Sequence, residues 1–143
     1  DLTHYRSRHF DRAGKGYHYL VIVEDVAGDT DRRDVIGKAG LGTMMVESRS
    51  TRDHTGTIVM HELGHSLGLS PADFDGIDST RYSFQAYTSV MNYNTPRDYY
   101  GFSSQSGPAS FDDWESIANH MFTPATSFVT VDGESRQRDS PSV

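Results

Sequence analysis

The stretch MHELGHSLGLSPADFDG, Met60 to Gly76, holds the side chains of this chain best suited to chemistry. His61 and His65 stand at i and i+4. On a helix that spacing stacks them on one face with Cβ atoms about 5–6 Å apart, so both imidazoles can reach one ion. Glu62 is offset by about 100° and is expected at the rim of the same site. Zinc suits this set: it lowers the pKa of a bound water toward ~7, and a neighbouring carboxylate can take the proton and hand it to a leaving amine. The bland alternative is a helix with two exposed or capping histidines. Context weakens it, because the motif lies on the strongest helical pattern in the chain. Gly64 costs about 1 kcal/mol against Ala inside a helix, which points to close packing beneath the site.

The elements that must position these residues follow from the pattern. YHYLVIVEDV (17–26) is aromatic and β-branched and predicts a buried strand. AGDTDRRDVIGKAGLG (27–42) is rich in Gly and Asp and predicts a long loop, and TMMVES (43–48) a second short strand. Residues 55–68 predict the main helix, with Val59, Leu63, Ser66 and Leu67 on one side, Asp53 or Thr55 at its start and Gly68 at its end. A loop spans 69–90, a compact turn SVMNYNTP follows at 89–96, and SFDDWESIANHMF (110–122) predicts a last helix. Ser110 with Asp113 resembles a capping box there, and Trp114, Ile117 and Met121 form its apolar face. Residues 1–16 read as polar and irregular, and the tail 123–143 as mobile.

Composition narrows the classes of function. The 143 residues suffice for one domain, and 35% hydrophobic residues allow a modest core. A formal charge of −7 argues against nucleic-acid binding through phosphate contacts. There is no cysteine, so a metal must take His, carboxylate, Tyr or water. No run of about 18 apolar residues exists to span a membrane, and the chain is expected to be soluble, either as a processed form or as a piece of something longer.

With HELGHSLG at 61–68 and SVMNY at 89–93, the chain resembles the metzincin-type zinc peptidases, over about residues 17–122. The bare scaffold is most similar to snapalysin-like and pappalysin-like members. The resemblance implies an α+β fold: a small zincin-like domain over 1–122 with a twisted mixed sheet, an antiparallel edge strand, an active-site helix, a Met-turn and a C-terminal helix. It implies that His61 and His65 bind Zn2+, that Glu62 is general base and acid, and that Met91 is a hydrophobic support for the site. Tyr93 matches a tyrosine that in astacins reaches the metal or steadies the oxyanion; a packed tyrosine is the other reading. TMMVES resembles the edge strand that an extended peptide joins. Gly68 would turn the chain out of the helix. The implied activity is a secreted endopeptidase acting on protein or peptide substrates, with no nucleic-acid or membrane partner. The alternatives are a catalytically silent binding domain and a zinc hydrolase of a non-protein amide.

The departure from the family pattern is Pro71, which stands where a third ligand belongs and has no ligating side chain. Asp73 is the first choice to replace it, then Asp75, then Asp78; a carboxylate oxygen is an acceptable zinc ligand beside two imidazoles. Glu115 on the last helix is a rival, as a downstream glutamate serves in gluzincin-type enzymes. DFDGID (73–78) also has the alternating aspartates of a Ca2+ loop, or is a solvated acidic loop. His54 and His120 are ligands by chemistry, but read first as surface or capping histidines.

Overall fold

The computed structural model describes residues 2–12, 15–26, 35–40, 42–69, 81–104, 111–121, 128–131 and 134–137. The elements are α1 (Leu2–His9), β1 (Tyr19–Val23), β2 (Gly37–Gly40), β3 (Thr43–Glu47), α2 (Arg52–Ser66), α3 (Asp113–Met121), β4 (Phe128–Val131) and β5 (Glu134–Gln137). The class is α+β, built around a three-stranded mixed sheet of order β1-β3-β2. β1 runs parallel to β3, with Tyr19 opposite Thr43 and Val23 opposite Glu47. β2 runs antiparallel to β3, with Gly37 opposite Val46 and Gly40 opposite Thr43.

Several elements differ from the sequence reading. Residues 1–16, expected to be irregular, contain α1, whose Phe10-side end is tied down by stacking of Phe10 on Tyr19 with ring centroids 5.2 Å apart. The predicted loop 27–42 contains β2. Its GKAG sequence has little strand propensity, and pairing along β3 decides its conformation instead. TMMVE is therefore the central strand, paired on both sides, and not an edge. β2 is the antiparallel edge. Part of the tail expected to be mobile is paired as β4 and β5.

A two-residue connection joins β2 to β3. Gly42 in it has φ +71°, a backbone region that favours glycine. The same residue fastens three elements together. Its carbonyl accepts from Tyr19 N at 2.9 Å, and its N–H donates to Ser66 O at the end of α2 at 3.3 Å.

α2 begins earlier than predicted, with Thr51 as its N-cap in place of Asp53 or Thr55; the Thr51 side chain accepts from His54 N at 3.2 Å. The helix ends in a Schellman pattern. Gly68 N donates to His65 O and Leu69 N to Gly64 O, both at 3.0 Å, and Gly68 sits at φ +106°. The chain does turn sharply at Gly68.

The expected stripe of Val59, Leu63, Ser66 and Leu67 is not how α2 packs. It lies between two layers, so it buries two faces. Ile58, Glu62 and Ser66, at i, i+4 and i+8, are buried on the face that meets β2 and β3. Met60 and Leu67 pack against a second cluster of Leu69, Tyr87, Val90, Met91, Phe102 and Ile117. Gly64 is the point of closest approach. A Cβ there would overlap Met91 Sδ and lie 2.9 Å from Phe102 Cε1 and 3.2 Å from Leu69 Cδ1. Val59 instead lines an open notch with Leu20, Ile22, Thr55 and Gly56.

α3 is capped by Asp112, whose Oδ1 accepts from Glu115 N at 2.9 Å; Ser110, the expected cap, lies outside the described residues. Ile117 is buried as expected, while Trp114 remains 52% exposed with its edge against Phe102. Among the described residues no helix is long and apolar enough to cross a membrane.

Two outcomes are expected from this packing. Gly64→Ala should destabilise the fold by about 1–3 kcal/mol, because overpacking against the buried Met91 outweighs the ~1 kcal/mol helix gain. Chemical denaturation checks it, and an unchanged or raised stability would contradict the close approach. His18 Nδ1 lies 2.6 Å from Ser66 Oγ, and burial lowers its pKa below 6.5. A histidine whose folded pKa is depressed contributes stability above its unfolded pKa and loses it as pH falls through the folded value. His18→Asn should therefore flatten the loss of stability on acidification below about pH 6.5, read as denaturation midpoint against pH.

Candidate metal centre

The rings of His61 and His65 lie side by side on one face of α2, with centroids 5.0 Å apart at an interplanar angle of 80°. Each has a main-chain partner. His61 Nδ1 is 3.0 Å from Val90 O, and His65 Nδ1 is 2.8 Å from Leu69 O. A carbonyl oxygen can only accept, so each Nδ1 carries the proton and donates. In a neutral ring so held, Nε2 carries the lone pair, the form in which histidine binds a metal with its other nitrogen oriented by a hydrogen bond. Both carbonyls come from close packing: Leu69 O from the turn at Gly68, Val90 O from the segment held beneath Gly64.

That segment is itself fixed by buried polar contacts. Asp113, fully buried at the start of α3, accepts from Tyr87 Oη at 2.7 Å, from Ser89 Oγ at 2.5 Å and from Ser103 N at 2.8 Å. Ser89 Oγ in turn accepts from Met91 N at 3.0 Å. Burial pushes the Asp113 carboxyl above the usual carboxylate range, against the opposing pull of the three donors. Asn92, also buried, donates to Tyr87 O at 2.9 Å. Met91 is fully buried under Gly64, within the cluster of Leu69, Tyr87, Val90, Phe102 and Ile117.

Glu62 is not at an open rim, as the helical offset alone suggests. It is 6% exposed and lies on the sheet side of α2 against Gly37 of β2. Tyr93 is 58% exposed, and its ring stacks on His61 with centroids 5.4 Å apart and planes inclined by 24°.

Pro71, Asp73, Asp75 and Asp78 lie outside the described residues, and so does the DFDGID segment read as a Ca2+ loop. Among the described residues no group of three His, Cys, Asp or Glu side chains is placed to hold a metal. Glu115 is described, exposed on the first turn of α3, and does not join His61 and His65. His54 shares their face of α2, but seven residues at 1.5 Å rise put it about 10 Å along the axis from His61. Burial, Arg97 and Arg49 all lower its pKa. His120 belongs to α3.

Three contributors escaped the sequence reading. Asp113 was visible only as a capping acid; its real partners are distant in sequence. Gly37 stood in a presumed loop. Val90 contributes through its carbonyl, for which no side-chain signal exists. No family model, curated protein or solved structure matches the chain.

Asp113→Asn should lower stability by about 1–3 kcal/mol. Three donors converge on two acceptor oxygens, and an amide must turn its NH2 toward one of them. Denaturation at neutral pH tests this; a neutral substitution would show that the buried carboxylate does not hold the turn.

Proposed function

We propose that the chain is a zinc-dependent endopeptidase of metzincin type, with His61 and His65 as two ligands and Glu62 as general base and acid. One observation carries the reading: two helix-stacked imidazoles whose Nδ1 atoms both face main-chain carbonyls, with a carboxylate between them in sequence. The sheet with an antiparallel edge strand, the turn at Gly68 and the buried Met91 beneath Gly64 add support.

The donor set fits zinc, which accepts imidazole nitrogen and carboxylate oxygen. Asp73 is proposed as the third ligand, on its place after the helix. Bound zinc supplies Lewis acidity, acidifying the attacking water and polarising the scissile carbonyl. The chain does the rest. Glu62 takes the proton of the water on a carboxylate oxygen and returns it to the leaving amine nitrogen. The Tyr93 hydroxyl donates to the oxyanion as charge develops. β2, beside Glu62, is the strand edge along which an extended peptide pairs by main-chain hydrogen bonds, the role first expected for TMMVES.

The test is cleavage of an unfolded protein substrate by the purified chain, with and without a zinc chelator. Glu62→Ala should keep zinc and the fold while cleavage falls by 10² or more; His61→Ala and His65→Ala should each lose zinc. Asp73→Ala should weaken zinc binding far more than Asp75→Ala or Asp78→Ala. Chelator-resistant cleavage, or stoichiometric zinc in His61→Ala, would sink the assignment. A folded, zinc-loaded chain that cleaves no protein would favour the binding-domain or non-protein-amide alternatives.

A further inference from the structure

We propose that Gly37 is a positioning residue for Glu62: its missing side chain is the slot that holds the carboxylate in one orientation on the sheet side of α2. A Cβ on Gly37 would lie 2.7 Å from Glu62 Cδ and 2.8 Å from Cγ, and closer still to Oε1. Real Cβ atoms essentially never come within 3.0 Å of such neighbours. The overlap involves three consecutive atoms of the side chain and not its tip alone. Glu62 is 6% exposed, so it has little open space into which to retreat.

The backbone gives no other reason for glycine here. Among the described residues the glycines with positive φ are Gly16, Gly42 and Gly68, and Gly37 is not one of them. Its register on β3, opposite Val46, is ordinary strand pairing. Glycine in a strand is unfavourable unless something approaches closely, and what approaches is the Glu62 side chain. Gly40, at the other end of β2, differs: among the described residues a Cβ there would meet only Thr43 Oγ1, at 3.9 Å. The edge strand thus presses on the carboxylate side of α2 as Met91 presses on its Gly64 side. With Ala at 37 the carboxylate must leave its present rotamer, and displacement of a reacting group by about 1 Å is worth up to ~10²-fold in rate.

The claim about the slot stands on packing alone, and the claim about rate rests on the peptidase reading. The experiment separates them. Gly37→Ala, Glu62→Ala and the double variant are compared by chemical denaturation, with Gly40→Ala as a stability control. In the Glu62 background Gly37→Ala should reduce the folding equilibrium constant by roughly tenfold or more. In the Glu62→Ala background the loss should vanish, because the side chain it collides with is gone. The same loss in both backgrounds, or none in either, overturns the proposal. If Gly37→Ala alone does not fold, the double variant should; failure of both overturns it as well. The rate arm applies once chelator-sensitive cleavage is in hand: Gly37→Ala should keep its zinc, lower kcat by about 10- to 100-fold and leave KM within about twofold. A raised KM with unchanged kcat would assign Gly37 to substrate binding along the strand edge and overturn positioning. A wild-type chain that does not cleave removes the peptidase reading, while the denaturation cycle still decides whether Glu62 occupies a slot made by Gly37.

Discussion

The site depends on how closely α2 can lie on the segment that carries Met91. A helix and a chain segment normally stand apart by the width of their side chains. At Gly64 there is none on the helix side, and Met91 Sδ occupies the space a Cβ would take. That approach brings Val90 O within 3.0 Å of His61 Nδ1. It therefore selects the tautomer of a ring on the adjacent face. A packing constraint between apolar atoms becomes an orientation of a polar one, because interiors are dense and a displacement of a fraction of an ångström is felt.

Polar contacts make the same approach specific. An apolar floor alone would let the 87–92 segment settle in several ways. Asp113 removes that freedom by accepting from Tyr87, Ser89 and the Ser103 main chain, and Ser89 passes the constraint to Met91 N. Three donors face the buried Asp113 carboxyl, no salt bridge reaches it among the described residues, and its pKa still rises with burial. α3, far along the chain, is thus coupled to the histidines through one carboxylate.

On the other side of α2 the sheet sets the surroundings of Glu62. Gly37 leaves room for its side chain and β3 backs the strand that does so. Glycine serves three separate needs around this helix. At 37 it admits a carboxylate, at 64 a methionine, and at 68 a positive φ that returns Leu69 O to His65. Only the last is a demand of the backbone itself.

Much of the helix was legible in the sequence because its signals are local. The i, i+4 histidines, the glycine at the C-terminus and the closeness implied by Gly64 all rest on helical geometry, which neighbouring residues determine. The strands at 19–23 and 43–47 were legible from their β-branched and apolar runs, and the last helix from its apolar face. What lay beyond reach was long-range. GKAG is a strand only because TMMVE offers an edge to pair with, so which of the two is central could not be read from either alone. Asp113 carries the same signature whether it caps α3 or anchors a turn packed against it. Glu62 belongs to the sheet face only because α2 is enclosed by two layers, where a single apolar stripe would bury one. Sequence by itself determined which side chains could share one face of one helix. Tertiary structure decided what each of them faces, because partners tens of residues away meet only through packing.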